Sequence, residues 1–119
     1  LVQVNPINRV YQAELARTYN NLGYLLSQHK DWKQAEICYL DAIQLQTNMV
    51  AASPLVRSYR RDLAISHNNL GMLQSRSDKP VDAEASFHEA IRLQRMLLDS
   101  QMADKRLNRR SSFRSKPWS

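Results

Sequence analysis

Apolar side chains in this sequence recur at helical intervals. Leu15, Leu22 and Leu26 stand at i, i+7 and i+11, and Ala35, Tyr39 and Ala42 at i, i+4 and i+7. Such spacing collects residues on one face of a helix with 3.6 residues per turn. The pattern then repeats. When the sequence is slid against itself by 48 positions, Pro6 meets Pro54, Arg9 meets Arg57, Tyr11 meets Tyr59 and Leu15-Ala16 meets Leu63-Ala64. The phrase Asn20-Asn21-Leu22-Gly23 meets Asn68-Asn69-Leu70-Gly71, Ala35-Glu36 meets Ala83-Glu84, and Tyr39 meets Phe87. Seventeen of the 48 aligned positions (5–52 against 53–100) are identical, so the chain is an internal duplication.

Each copy predicts two helices. Asn5-Pro6 and Ser53-Pro54 supply an N-cap residue followed by proline at the first helical position, where its missing N–H costs nothing. Helix A of each copy is expected to run to about Gln28 and Arg76. In the turns that follow, Asp31 and Asp78 are candidate caps for the next helix, and Pro80 suits a first helical turn. Helix B is expected from about Trp32 to Val50 and from about Pro80 to Gln101. Short connections make successive helices antiparallel neighbours. The predicted fold class is therefore all-α, with two tandem antiparallel helical hairpins, four helices in total.

The chain holds only two glycines, and both fall in the repeated phrase. Glycine inside a helix costs roughly 1 kcal/mol relative to alanine, so its recurrence at one site calls for a steric reason. Gly23 and Gly71 are expected to let helix B press close, with Tyr39 or Phe87 at the gap.

Those same residues resemble the signature of the tetratricopeptide repeat. An aromatic, Leu-Gly and a large residue on the first helix, then Ala, aromatic and Ala on the second, fall on Tyr19, Leu22, Gly23, Leu26, Ala35, Tyr39 and Ala42. In the second copy they fall on His67, Leu70, Gly71, Gln74, Ala83, Phe87 and Ala90. His67 and Gln74 depart from the pattern by being polar, and neither second helix ends in the usual proline. The period departs too, since 48 residues exceed the usual length of about 34 by about four helical turns. In this the sequence is similar to the lengthened repeats of kinesin light chain and to repeat arrays attached to some bacterial serine/threonine kinases. The resemblance implies a right-handed superhelix with a domain over residues 1–104, repeat one at about 5–52 and repeat two at about 53–100.

It also implies a function. In this family the first helices line a concave face that grips a peptide or a partner's helix. Carried over by position, the peptide-binding candidates are Arg17, Asn20, Asn21, Tyr24, Asn68, Asn69, Met72 and Arg76, with Ser27, Gln28, Ile65 and Ser75 on the same sides. An Asn side chain offers a donor and an acceptor together, matching a peptide unit. Asn21 and Asn69, one repeat apart, would form a ladder for an extended backbone, and Tyr24 and Met72 would add adaptable apolar contact. The other reading has one amide of each Asn pair bonded to a neighbouring helix, and Arg17 and Arg76 simply solvated.

Composition narrows the remaining choices. The 119 residues are 43% apolar and 24% charged, an ordinary globular balance sufficient for one core. The single Cys38 requires no oxidising compartment, no apolar run reaches the length of a membrane span, and no secretory signal pattern is visible; a cytoplasmic setting is expected. His29, His67, His88 and Cys38 lack paired metal-ligand spacing, and two glycines cannot build a phosphate loop or a nucleophile elbow. No metal, cofactor or enzymatic activity is expected, and Cys38 is expected to pack as a small apolar residue.

The net charge of +6 resides at one end. Residues 1–100 carry eleven Lys/Arg against ten Asp/Glu, whereas 101–119 carry six cations against Asp104 alone. Residues 105–119 are therefore expected to form a disordered basic tail, either a solvated terminus or linker, or a contact for nucleic acid or an anionic surface. The run Arg109-Arg110-Ser111-Ser112 also resembles a basophilic kinase site at Ser112. A protein or peptide partner is favoured over nucleic acid. A homodimer or larger self-assembly is the rival class, because repeat arrays need capped ends and here Val2, Val4 and Ile7 open the chain while Met96, Leu97, Leu98 and Met102 close the second copy; such ends are expected to stack either on the rest of a longer protein or on another copy.

Overall fold

The computed structural model describes residues 6–114, with side-chain environments over 8–110. The described residues form four helices, α1 (Pro6–Gln28), α2 (Trp32–Ala52), α3 (Arg57–Arg76) and α4 (Pro80–Arg114). α1 packs on α2 and α3 on α4, the two hairpins meet where α2 lies against α3, and α1 touches α3 more lightly. The expected pair of tandem hairpins is what the chain forms.

Within each hairpin the glycine admits an aromatic ring. A Cβ on Gly23 would lie 2.8 Å from Tyr39 Cε1, and one on Gly71 would lie 2.7 Å from Phe87 Cε1. Neither glycine has a positive φ, so the requirement is for space and not for an unusual backbone. The two rings differ in freedom. Tyr39 is buried in a cluster with Ala35, Leu70 and Leu73, whereas Phe87 is only half-buried.

The turns of the hairpins are equivalent to the residue. Lys30 and Asp78, 48 positions apart, both take left-handed conformations, with φ of 62° and 64°. The next amide returns to the helix just ended, Asp31 N–H to Leu26 C=O at 2.9 Å and Lys79 N–H to Gln74 C=O at 2.8 Å. These bonds satisfy carbonyls that a helix end leaves orphaned. Asp31 caps α2 as expected, accepting from the Gln34 amide at 3.4 Å. Asp78 does not cap α4; it occupies the left-handed site, which Asp tolerates better than most residues, and Pro80 opens the helix.

Two expected boundaries shift. α3 begins at Arg57 and not at Pro54, because α2 runs on to Ala52 and Ser53 becomes its C-cap, donating its amide to Met49 C=O at 2.9 Å. A residue before proline avoids the helical region, so Ser53-Pro54 ends one helix instead of starting the next. Asn5, the equivalent expected cap, lies outside the described residues. The second shift is at the other end. α4 does not stop near Gln101 but continues to Arg114, so the described part of 105–119 is helix where an irregular tail was expected. Residues 101–110 contain no Gly or Pro and are rich in strong helix formers. Arg57 steadies the start of the extension, pairing with Asp104 and donating from Nε to Ser100 Oγ at 3.3 Å. Residues 115–119 and the Ser112 side chain fall outside the description.

The junction between hairpins is part apolar and part polar. Leu70 and Leu73 of α3 pack with Ala35 and Tyr39 of α2, while Ile43 and Val50 of α2 pack against Leu63 and Ala64 of α3. Between these contacts the Ser66 hydroxyl donates to Gln46 Oε1 at 2.5 Å. Toward the turns, Ser86 donates to Gln74 Oε1 at 2.6 Å, Gln74 Nε2 donates to Glu36 at 3.4 Å, and Lys79 meets Glu36 at 3.3 Å. The polar Gln74, at a position usually apolar in the resembled family, is thus buried with both ends of its amide bonded. Cys38 is buried as a small apolar residue, and burial, with help from Asp41 and Asp31, holds its thiol above the ordinary range.

Two outcomes follow for stability. Gly23→Ala lowers it by about 1–2 kcal/mol in urea unfolding, since overpacking costs more than the roughly 1 kcal/mol gained in helix propensity. Gly71→Ala costs less, because the half-exposed Phe87 ring has room to turn aside. The second outcome concerns His67, whose imidazolium burial disfavours, pushing its pKa below the ordinary 6.5 despite an opposing pull from Glu89. The unfolded chain takes up that proton first, so this contribution is complete above about pH 6.5 and is lost as pH falls from there toward the folded value. His67→Gln flattens the stability profile in that window.

A candidate peptide-binding cleft between the first helices

The first helices of the two hairpins flank a cleft of about 250 Å³ lined by Ala13, Arg17, Asn20, Asn21, Gln46, Asp62, Ile65 and Asn69. Four of the eight candidate residues, Arg17, Asn20, Asn21 and Asn69, meet there. The repeat accounts for this convergence, because residues 48 apart occupy matching faces of α1 and α3, and steps of three or four keep Arg17, Asn20 and Asn21 on one side of α1.

The two Asn-Asn pairs divide into different roles. Asn20 is half-buried, and its Nδ2 donates to Ser66 Oγ at 2.8 Å, which in turn donates to Gln46. This relay joins α1, α3 and α2, and leaves Asn20 Oδ1 buried without a partner among the described residues. Asn68, its equivalent, is exposed and makes only a 3.7 Å contact from Nδ2 to Met72 Sδ. Asn21 is exposed and Asn69 half-buried. Among the described residues, no hydrogen bond engages either amide.

The remaining candidates lie outside the cleft lining. Tyr24 and Met72 are both more than half exposed. Arg76 is committed to the junction: its guanidinium donates to Ser27 Oγ at 3.2 Å and lies 5.4 Å from the centroid of the Trp32 ring. Ser27, expected on the concave side, is consequently buried. Arg17 is held beside Glu14 at 3.1 Å with both side chains well exposed, a geometry worth little to stability.

Gln46 and Asp62 line the cleft without having been expected there. Gln46 belongs to a second helix, from which no binding candidate was drawn, although it recurs 48 positions on as Gln94. Asp62 has no such signal beyond its place three residues before Ile65. It puts a carboxylate in the same cleft as the Arg17 guanidinium. Among the described residues no three His, Cys, Asp or Glu side chains converge as metal ligands would, and no helix is long and apolar enough to cross a membrane.

Comparison with known proteins gives a partial match. No curated protein and no solved structure matches this chain. Residues 15–50, from the middle of α1 nearly to the end of α2, match the family model of the tetratricopeptide repeat.

Proposed function

We propose that this chain is a non-catalytic scaffold that binds an extended segment of a partner protein in the cleft between α1 and α3. The observation that carries this reading is the pair Asn21 and Asn69, which lie on one cleft with amides unengaged among the described residues. Each amide has a donor and an acceptor to offer. Spaced by one repeat, they suit a peptide backbone, whose N–H and C=O groups must be satisfied when taken from water. Tetratricopeptide repeats generally mediate protein–protein contact, and the match over residues 15–50 agrees with that use.

Asn20 serves the cleft indirectly. By bonding to Ser66 it fixes the separation of α1 and α3, and so the spacing between Asn21 and Asn69. The lining carries Arg17 on one helix and Asp62 on the other, so a ligand with both charges, or neither, fits better than a strongly acidic or basic one. Ile65, about half exposed at the cleft, provides apolar contact.

Peptides selected by display for binding to the wild-type chain provide the test. Asn21→Ala/Asn69→Ala is expected to weaken the selected peptides about tenfold or more, as loss of two hydrogen bonds worth about 1 kcal/mol each implies. Circular dichroism should be unchanged. Equal affinity for the double variant would remove the cleft from the binding site.

A further inference from the structure

Residues 48 apart stand in matching lines on the two first helices. Glu14, Arg17 and Asn21 of α1 correspond to Asp62, Ile65 and Asn69 of α3, and steps of three or four keep each line on one helix side. The hydroxyls beside them repeat as well: Thr18 donates to Glu14 C=O at 3.0 Å and Ser66 to Asp62 C=O at 3.1 Å. The lines differ in charge. In the first, Arg17 meets Glu14 at 3.1 Å; in the second, Ile65 stands where the arginine would be. Asp62 is exposed at the cleft, and among the described residues no cation pairs with its carboxylate.

In water such a carboxylate needs no partner. Beneath a bound segment it does, because covering the cleft strips water from it, and a desolvated charge without a counter-charge is costly. Among the described residues Arg17 is the only cation lining the cleft, and it already faces Glu14. Glu14, Arg17 and Asp62 together leave one negative charge over, so a single cation balances the covered cleft where a run of them would not. Ile65, half exposed and one turn from Asp62, offers apolar surface for the methylenes of a long basic side chain.

We infer that the segment bound between α1 and α3 carries one Lys or Arg, whose side chain lies over Ile65 and pairs with Asp62 as Arg17 pairs with Glu14. This deepens, and rests on, the reading of the cleft as a peptide site. The ligand's cation does for the second repeat what Arg17 does for the first, while Asn21 and Asn69 remain for the ligand's backbone.

A random peptide library screened against the full chain tests it, with the selected peptides then synthesised with free and with acetylated N-termini. One Lys or Arg at a fixed place in the selected sequences is expected. Its replacement by norleucine should weaken binding about fivefold or more at low salt, the difference shrinking as salt rises. Asp62→Asn is expected to bring the parent and norleucine peptides to equal affinity, and Asp62→Lys to prefer a peptide with Glu at that place. Both variants change an exposed side chain, so circular dichroism should match that of the wild type. Selected peptides without a basic residue would mean that Arg17 turns to Asp62 instead, and would overturn the inference. So would a Lys or Arg whose loss costs the same in Asp62→Asn as in the wild type. Loss of binding on acetylation would assign the cation to the peptide's N-terminus and overturn the side-chain pairing. Failure of the cleft itself looks different: a library that yields no binder, or selected peptides that bind Asn21→Ala/Asn69→Ala as tightly as the wild type, would remove the peptide site and the inference with it.

Discussion

The contact between glycine and aromatic ring sets the distance between the helices of each hairpin, and the other features of the fold depend on it. With the Tyr39 ring seated where a Cβ of residue 23 would be, α1 and α2 approach closely enough for Ala16, Ala35 and Ala42 to be almost fully buried. Small residues at close approach leave little apolar area per side chain, so stability rests on many short-range dispersion contacts. Larger buried side chains, Tyr39, Met49, Leu63, Leu70, Leu73 and Leu93, add to these. Leu73 and Ser66 are the largest side chains that are fully enclosed.

Tyr39 also faces the second hairpin, through Leu70 and Leu73. A change at Gly23 is therefore felt at the junction, and the two hairpins are not independent units of stability. The polar relays add register. An apolar seam of leucines and alanines permits sliding, but Ser66 satisfies Gln46 and Asn20 together at only one offset, and Gln74 satisfies Ser86 and Glu36 at only one. Leaving any of these buried groups unpaired costs about 1–3 kcal/mol, enough to select a single packing among near alternatives.

Much of this was legible in the sequence, for a physical reason. Duplication turns weak local signals into a strong one, since a glycine or an alanine that recurs at the same place in two copies reports a shared steric constraint. The hairpins, the glycine–ring contacts and the convergence of Arg17, Asn20, Asn21 and Asn69 follow from that. What could not be read arises where the copies are not equivalent. Ser53-Pro54 looks like Asn5-Pro6, but a helix precedes the former, so its serine ends α2. The run from Met102 onward has no counterpart in the first copy, so only propensity and charge were available, and over the described part helix propensity prevails, with the half-exposed pair of Arg57 and Asp104 beside the start of the extension. Asp62 reached the cleft through the packing of α3 against α1, which no local pattern records.

The sharpest case of non-equivalence is the Asn-Asn pair itself. Asn20 and Asn68 are the same residue in the same phrase, yet Asn20 is bonded into the junction and Asn68 is exposed. The difference is positional. Asn20 finds Ser66 because a hairpin follows its own, and Asn68 has no following hairpin among the described residues from which a hydroxyl could come.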